Sequence, residues 1–293
     1  MKTIDIQIGD CLDVLKTLDD NSIDSIVPAP PYGLSFMGKR WDYDVPSVAV
    51  WCECLRVLKH GGHLLSFAGA RTYHRMAVNI EDAGFEIRDQ IMWVYGSGFP
   101  KSLNIGKAID KLQGNDRKII QNPKVKQQTE SKDGVYGDYE ANTHISIGNT
   151  EHEGWGTALK PAHEPIVMAR KPLSEKTIAK NVLRWGTGGI NIDGCRVEMT
   201  EQDKSKSANN WKPKGYELKE SIYEFGTKVV KTKQPQGRFP ANFIHDGSAE
   251  VVGLFPQQEG RFFYCPKANK KERGEGNNHP TVKPVRAMRW MCR

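Results

Sequence analysis

The chain has 293 residues, enough for one large α/β domain or for a domain carrying an insertion. Its 38% hydrophobic content supports a buried core, no apolar run reaches the length of a membrane-spanning helix, and the opening MKTIDIQIGDCL lacks the charged-then-apolar pattern of an export signal, so a soluble cytoplasmic protein with no membrane partner is expected. A net charge of +7 favours a polyanionic partner without establishing one.

From the N-terminus, residues 3–8 (TIDIQI) alternate apolar and polar side chains as a strand does, and Gly9-Asp10 turns the chain. Residues 11–18 (CLDVLKTL) place apolar side chains at helical spacing. Residues 23–28 (IDSIVP) read as a second strand, stopped by a run of prolines. Pro46 opens a helix reaching Leu58, with Lys59-His60-Gly61-Gly62 at its end. Residues 63–68 (HLLSFA) predict a short apolar strand, 71–83 a helix closed by Gly84, and 85–95 (FEIRDQIMWVY) a long strand. This alternation argues for a mostly parallel sheet with helices on its faces. Ligands in such sheets sit beyond the carboxyl ends of the strands, where Asp10, the Ala29–Tyr32 loop and Phe67–Arg71 fall.

After Lys101 the character changes. Residues 113–160 are polar with little periodicity. Residues 163–170 (HEPIVMAR) look like a strand and 174–185 like a helix. Residues 199–236 are again lysine-rich, with Trp211, Tyr216, Tyr223 and Phe225 among the charges. The α/β pattern returns at 242–265, and 284–292 look helical. The two polar stretches read either as flexible loops or as an inserted recognition region. Of the six cysteines only Cys52 and Cys54 are close in sequence, and they sit in a helical pattern. That is the wrong context for a zinc knuckle, so reduced, buried thiols and no metal site are expected.

Directly after the 23–28 strand comes Pro28-Ala29-Pro30-Pro31-Tyr32-Gly33. It resembles the signature of the DNA amino-methyltransferases, an acidic residue, amide or serine followed by Pro-Pro and an aromatic. Three further segments follow that family's order: Gly9-Asp10-Cys11-Leu12 before it, then His163-Glu164-Pro165 and His279-Pro280-Thr281-Val282-Lys283-Pro284. Trp93 to Ser102 and Gly237 to Asn242 also look like the family, although a plain turn explains the second equally well. The resemblance implies an α/β fold, a partial Rossmann-like methyltransferase sheet with a target-recognition insertion. It implies S-adenosyl-L-methionine as cofactor and double-stranded DNA as substrate. Residues 1–112 would be the catalytic half, 113–236 the recognition insertions with an embedded strand and helix at 163–198, and 237–293 a return to the methyltransferase domain.

The chemistry of the signature follows from the nucleophile. An exocyclic amine of adenine or cytosine has its lone pair delocalised into the ring. A side-chain oxygen and a backbone carbonyl accept its two hydrogens and aim the lone pair at the methyl donor. The aromatic ring stacks on the base once it leaves the duplex. The implied catalytic residues are thus Ala29, Pro30, Pro31 and Tyr32, with alanine where the acceptor belongs. Losing a positioned acceptor costs about 10²–10³-fold in rate. The implied cofactor residues are Asp10, Thr281 and Lys283, of which Asp10 also reads as a helix N-cap and Lys283 as a solvated residue ahead of a helix.

In this motif order a glycine-rich cofactor loop follows the last helix, and the chain reaches Arg293 before one. The expectation is a partial sheet with the 23–28 strand at an unpaired edge, completed by a second chain or a homodimer. The reading is an adenine-N6 methyltransferase scaffold with impaired or absent turnover. The alternatives are cytosine-N4 chemistry, a non-catalytic DNA-binding relative, or methylation of RNA or a protein amide.

Overall fold

A computed structural model describes residues 4–35, 38–96, 98, 102–122, 144–198, 237–253, 263–264, 268, 270–274 and 282–292. Helix α1 (Cys11–Lys16) starts at Asp10, whose side chain accepts from the Leu12 N–H at 2.9 Å. Residues 4–8 ahead of it, expected as a strand, have no regular structure, and Ile4, Ile6 and Ile8 are exposed. A strand pattern becomes a strand only where a ladder partner exists, and none lies beside this segment among the described residues.

The chain then runs through β1 (Ile23–Ile26), α2 (Val48–Val57), β2 (Leu58–Phe67), α3 (Tyr73–Asp82) and β3 (Glu86–Val94). Later come β6 (His163–Arg170), α5 (Ile178–Trp185), β7 (Phe243–His245), α6 (Ala249–Val252), β8 (Phe263–Tyr264), α7 (Lys270–Arg273) and α8 (Val285–Met291). Among the described residues they build a six-stranded sheet in the order β1-β2-β6-β3-β7-β8. Every strand runs the same way except β6, which pairs antiparallel with both β2 and β3. The expected mostly parallel α/β sheet is present, with β1 at its outer edge.

Lys59-His60-Gly61-Gly62, expected to stop a helix, lie inside β2 instead. Helix α2 ends one residue earlier, and the ladder between β1 and β2 jumps from Ile23↔Leu58 to Ser25↔His63. The extra β2 residues form a bulge around Gly61 at φ +82°, where a Cβ would lie 2.5 Å from the Asn181 amide.

The sheet is buried on both faces, and alternate side chains serve opposite cores. Leu64 and Val167 pack with Trp51, Met76, Ile80 and Phe85 beneath α2 and α3. Leu65, Phe67 and Ile166 pack on the other face with Trp93, Ile244, Trp290 and Met291. The Trp290 indole donates to the Cys195 carbonyl at 3.2 Å, tying α8 to the segment after α5. Cys54 and Cys195 are buried as expected, but Cys11, Cys52 and Cys292 are exposed.

A small lobe stands apart from this sheet. Helix α4 (Ile105–Gln113) adjoins an antiparallel pair, β4 (Lys118–Gln121) with β5 (His144–Ile147). Arg117 holds it together: its guanidinium meets the Asp110 carboxylate, Glu153 at 2.7 Å and the Ser146 carbonyl at 2.9 Å. The lysine-rich stretch 199–236, with its four aromatic residues, and residues 123–143 lie outside the described residues.

Candidate active site

Strands β1, β2 and β3 bring their carboxyl ends to one edge of the sheet. Because β6 runs the other way, it enters at that same edge through His163-Glu164-Pro165. The antiparallel strand therefore delivers the start of its sequence to the place where the others deliver their ends.

The loop 28–34 is pinned along its backbone. The Pro28 carbonyl accepts from Phe67 N–H at 3.1 Å. Asp42, 3% exposed, accepts from the N–H groups of Tyr32, Gly33 and Leu34 at 2.7, 3.0 and 3.2 Å. Thr72, just ahead of α3, donates its hydroxyl to the Tyr32 carbonyl. Gly33 has φ +67°, and a Cβ there would lie 3.0 Å from the Val45 nitrogen, so the turn accepts little besides glycine. Ala29 is exposed at the head of the loop and offers no side-chain acceptor.

The Tyr32 side chain packs beside the Phe67 and Trp93 core. Its hydroxyl donates to Glu164 Oε2 at 2.8 Å. Lys283 Nζ lies 2.5 Å from the same oxygen, 5.2 Å from the Tyr32 ring centroid and 4.9 Å from that of Phe67. The Lys283 and Glu164 side chains are 8% and 16% exposed, so this is a buried ion pair and not the solvated lysine the sequence also allowed. Burial above all, and then the Glu164 charge, push the Tyr32 phenol well above the ordinary tyrosine range, so it stays protonated.

The expected site residues are thus partly gathered. Ala29, Pro30, Pro31 and Tyr32 share the loop, and Lys283 reaches Tyr32 from some 250 residues downstream through Glu164. Asp10 caps α1 and makes no contact with Tyr32 or Lys283 among the described residues. Thr281 lies outside the described residues. Sequence reading missed Asp42 and Thr72 and noted Glu164 only as part of a strand start. Nothing local marks Asp42, a single acid ten positions from the tyrosine whose backbone it holds. At the neighbouring strand ends the Gly96 N–H donates to Asp246 at 3.0 Å, joining the loop after β3 to the loop after β7. Arg238 forms a two-way backbone bridge with Val197 at 3.1 and 2.8 Å.

A family model described as DNA methylase matches residues 23–293. The chain belongs to this DNA methylase family. The chain is 27% identical over 141 residues to the type II methyltransferase M.HindIII of Haemophilus influenzae, which covers 47% of the chain and 36% of that protein. It is also 27% identical over 106 residues to the type II methyltransferase M.HinfI of Haemophilus influenzae, covering 29% of the chain and 30% of that protein. The match therefore spans about a third of the length of these curated relatives. Among solved structures it is similar to the PvuII DNA methyltransferase (cytosine-N4-specific), at 15% identity and a TM-score of 0.32, covering 88% of this chain and 79% of that one.

Proposed function

We propose that this chain is a scaffold for methyl transfer from S-adenosyl-L-methionine to an exocyclic amine of a base in double-stranded DNA, adenine N6 ahead of cytosine N4, with low turnover. The observation that carries the reading is the Tyr32 loop, whose backbone is pinned by Asp42 and Thr72 at the carboxyl edge of the sheet. The Tyr32 ring stacks on the extruded base, and the Pro30 carbonyl accepts one amino hydrogen. Ala29 leaves the second hydrogen without an acceptor, which is the physical ground for slow turnover.

Lys283, whose ammonium is already paired with Glu164 beside Tyr32, would offer a remaining N–H donor to the carboxylate end of the cofactor. Thr281 would add a hydroxyl there, and Asp10 would take the adenosine end. When bound, the cofactor supplies an electrophilic methyl group on a sulfonium. The chain's own residues would stack the base, hold an amino hydrogen and donate a hydrogen bond to the cofactor's carboxylate.

The test is incubation with tritiated methyl donor and mixed-sequence duplex DNA, followed by nucleoside analysis. Weak incorporation into N6-methyladenine is expected, raised about 10²–10³-fold by Ala29→Asp. No incorporation by Ala29→Asp, alone and fused to a glycine-rich cofactor segment, overturns the catalytic reading. Ala29 also favours a second reading, a relative that binds DNA without modifying it. Salt-sensitive DNA binding with no methyl transfer by either form supports that reading, and absent or salt-insensitive binding removes it.

A further inference from the structure

The loop contacts made by Asp42 and Thr72 fix the backbone of Tyr32 but not its ring. A tyrosine χ2 is broad, so a half-buried ring needs something at its far end to hold its plane. That role falls to Glu164. Tyr32 and Lys283 both donate to its Oε2, and its Oε1 has no partner among the described residues. A hydrogen bond to a carboxylate is stronger and more directional than one to a neutral acceptor. The same carboxylate holds the Lys283 ammonium against one face of the ring, at 5.2 Å from its centroid. One face of Tyr32 is therefore occupied by a cation, and a planar ligand stacking on the ring would have to use the opposite face.

We propose that Glu164 is a positioning residue of this site: it anchors the Tyr32 hydroxyl and the Lys283 ammonium on one oxygen, so that the ring is held at a fixed angle and the face under Lys283 is closed to a base. The inference rests on the reading that Tyr32 receives a base. It adds a residue whose side chain bonds only Tyr32 and Lys283 among the described residues, and it assigns the face of the ring that a base would not use.

The experiment uses the full chain labelled with fluorotyrosine, the Tyr32 fluorine resonance being the one lost in Tyr32→Phe. In a second arm, a single strand carrying the fluorescent adenine analogue aminopurine is titrated in, and quenching reports stacking. Glu164→Gln is expected to move and broaden the Tyr32 resonance and to weaken quenching-based binding about tenfold. Because it strands Lys283, Glu164→Gln is also made together with Lys283→Met, which restores neutrality and is expected to leave the Tyr32 resonance displaced. Tyr32→Phe, which removes only the hydroxyl, is expected to weaken binding by a similar factor, and the Tyr32→Phe, Glu164→Gln double variant no further than either alone. Additive losses, or a Tyr32 resonance unmoved by both Glu164 variants, overturn the proposal. If the native chain gives no quenching, the base-stacking reading falls by itself, and the fluorine arm decides whether Glu164 anchors the ring.

Discussion

Asp42 gathers three successive backbone N–H groups onto one carboxylate, at 2.7 to 3.2 Å. In Asp42→Ala those donors lose their partner in a place where water replaces it poorly, and a loss of about 2–3 kcal/mol in urea denaturation is expected. Asp42→Asn keeps one acceptor oxygen and should lose roughly half as much. Equal stability for Asp42→Ala and the native chain would show that the clamp contributes nothing. The contrast between Ala29 and Asp42 explains what was legible at this scale. The Pro28–Gly33 segment could be read because its chemistry is consecutive in the chain, down to the alanine in the acceptor position. Asp42, Thr72 and Glu164 act through space on a residue 10, 40 and 132 positions away, and no spacing rule announces them. Lys283 was expected at the site, but its partner was not, because an ion pair has no sequence signature until both ends are folded.

At the scale of elements, β6 was expected at its observed bounds because a continuous apolar run marks a strand buried on both faces. The 4-residue strands β4 and β5 were missed because short, largely solvent-facing strands have too few periods to register. The end of α2 was misjudged because Gly61 has two uses, as a helix stop or as a left-handed bulge residue, and the sheet decided between them. Just past that bulge, His63 on β2 has its pKa lowered to about 4, by burial first and then by the Arg170 and Arg88 charges. The sign follows from comparing the two states. Above the ordinary value of 6.5 the imidazole is neutral whether the chain is folded or not, and it contributes no pH dependence. As pH falls from 6.5 towards 4 the unfolded chain takes up the proton and the folded chain does not, so stability declines, by at most about 3 kcal/mol. Denaturation midpoints measured across that range should fall more steeply for the native chain than for His63→Gln. Parallel curves would mean that the folded protein protonates His63 as readily as the unfolded one.

At the scale of the whole molecule, the sheet has a short outer strand. Strand β1 is 4 residues long, and its Asp24 pairs with Lys59 at 2.6 Å, charges that discourage a foreign strand from adding to that side. Among the described residues β1 lies at the edge where the sequence put it, although residues 4–8 of the expected 3–8 strand have no regular structure. The mostly parallel character of the sheet was legible because strand and helix patterns alternate, whereas the strand order and the reversal of β6 follow from connections that no local pattern encodes. The net charge of +7 belongs to this scale too. If double-stranded DNA is the partner, binding followed by fluorescence anisotropy should weaken by at least about tenfold for a fourfold rise in salt. A flat response would remove phosphate contacts from the account of the charge.

The oxygen shared by Tyr32 and Lys283 also sets a timetable. It joins positions separated by 132 and 119 residues, so its two donors leave the ribosome far apart in time. At about 5–20 residues per second, Tyr32 is made on the order of ten to fifty seconds before Lys283. During that interval the Tyr32 ring has no tether, and Glu164 arrives midway with no counter-charge. A nascent chain therefore carries the Pro28–Gly33 segment long before it carries a finished platform, because β6 is the strand that joins β2 to β3, and an interrupted round of translation leaves a chain unable to present the ring.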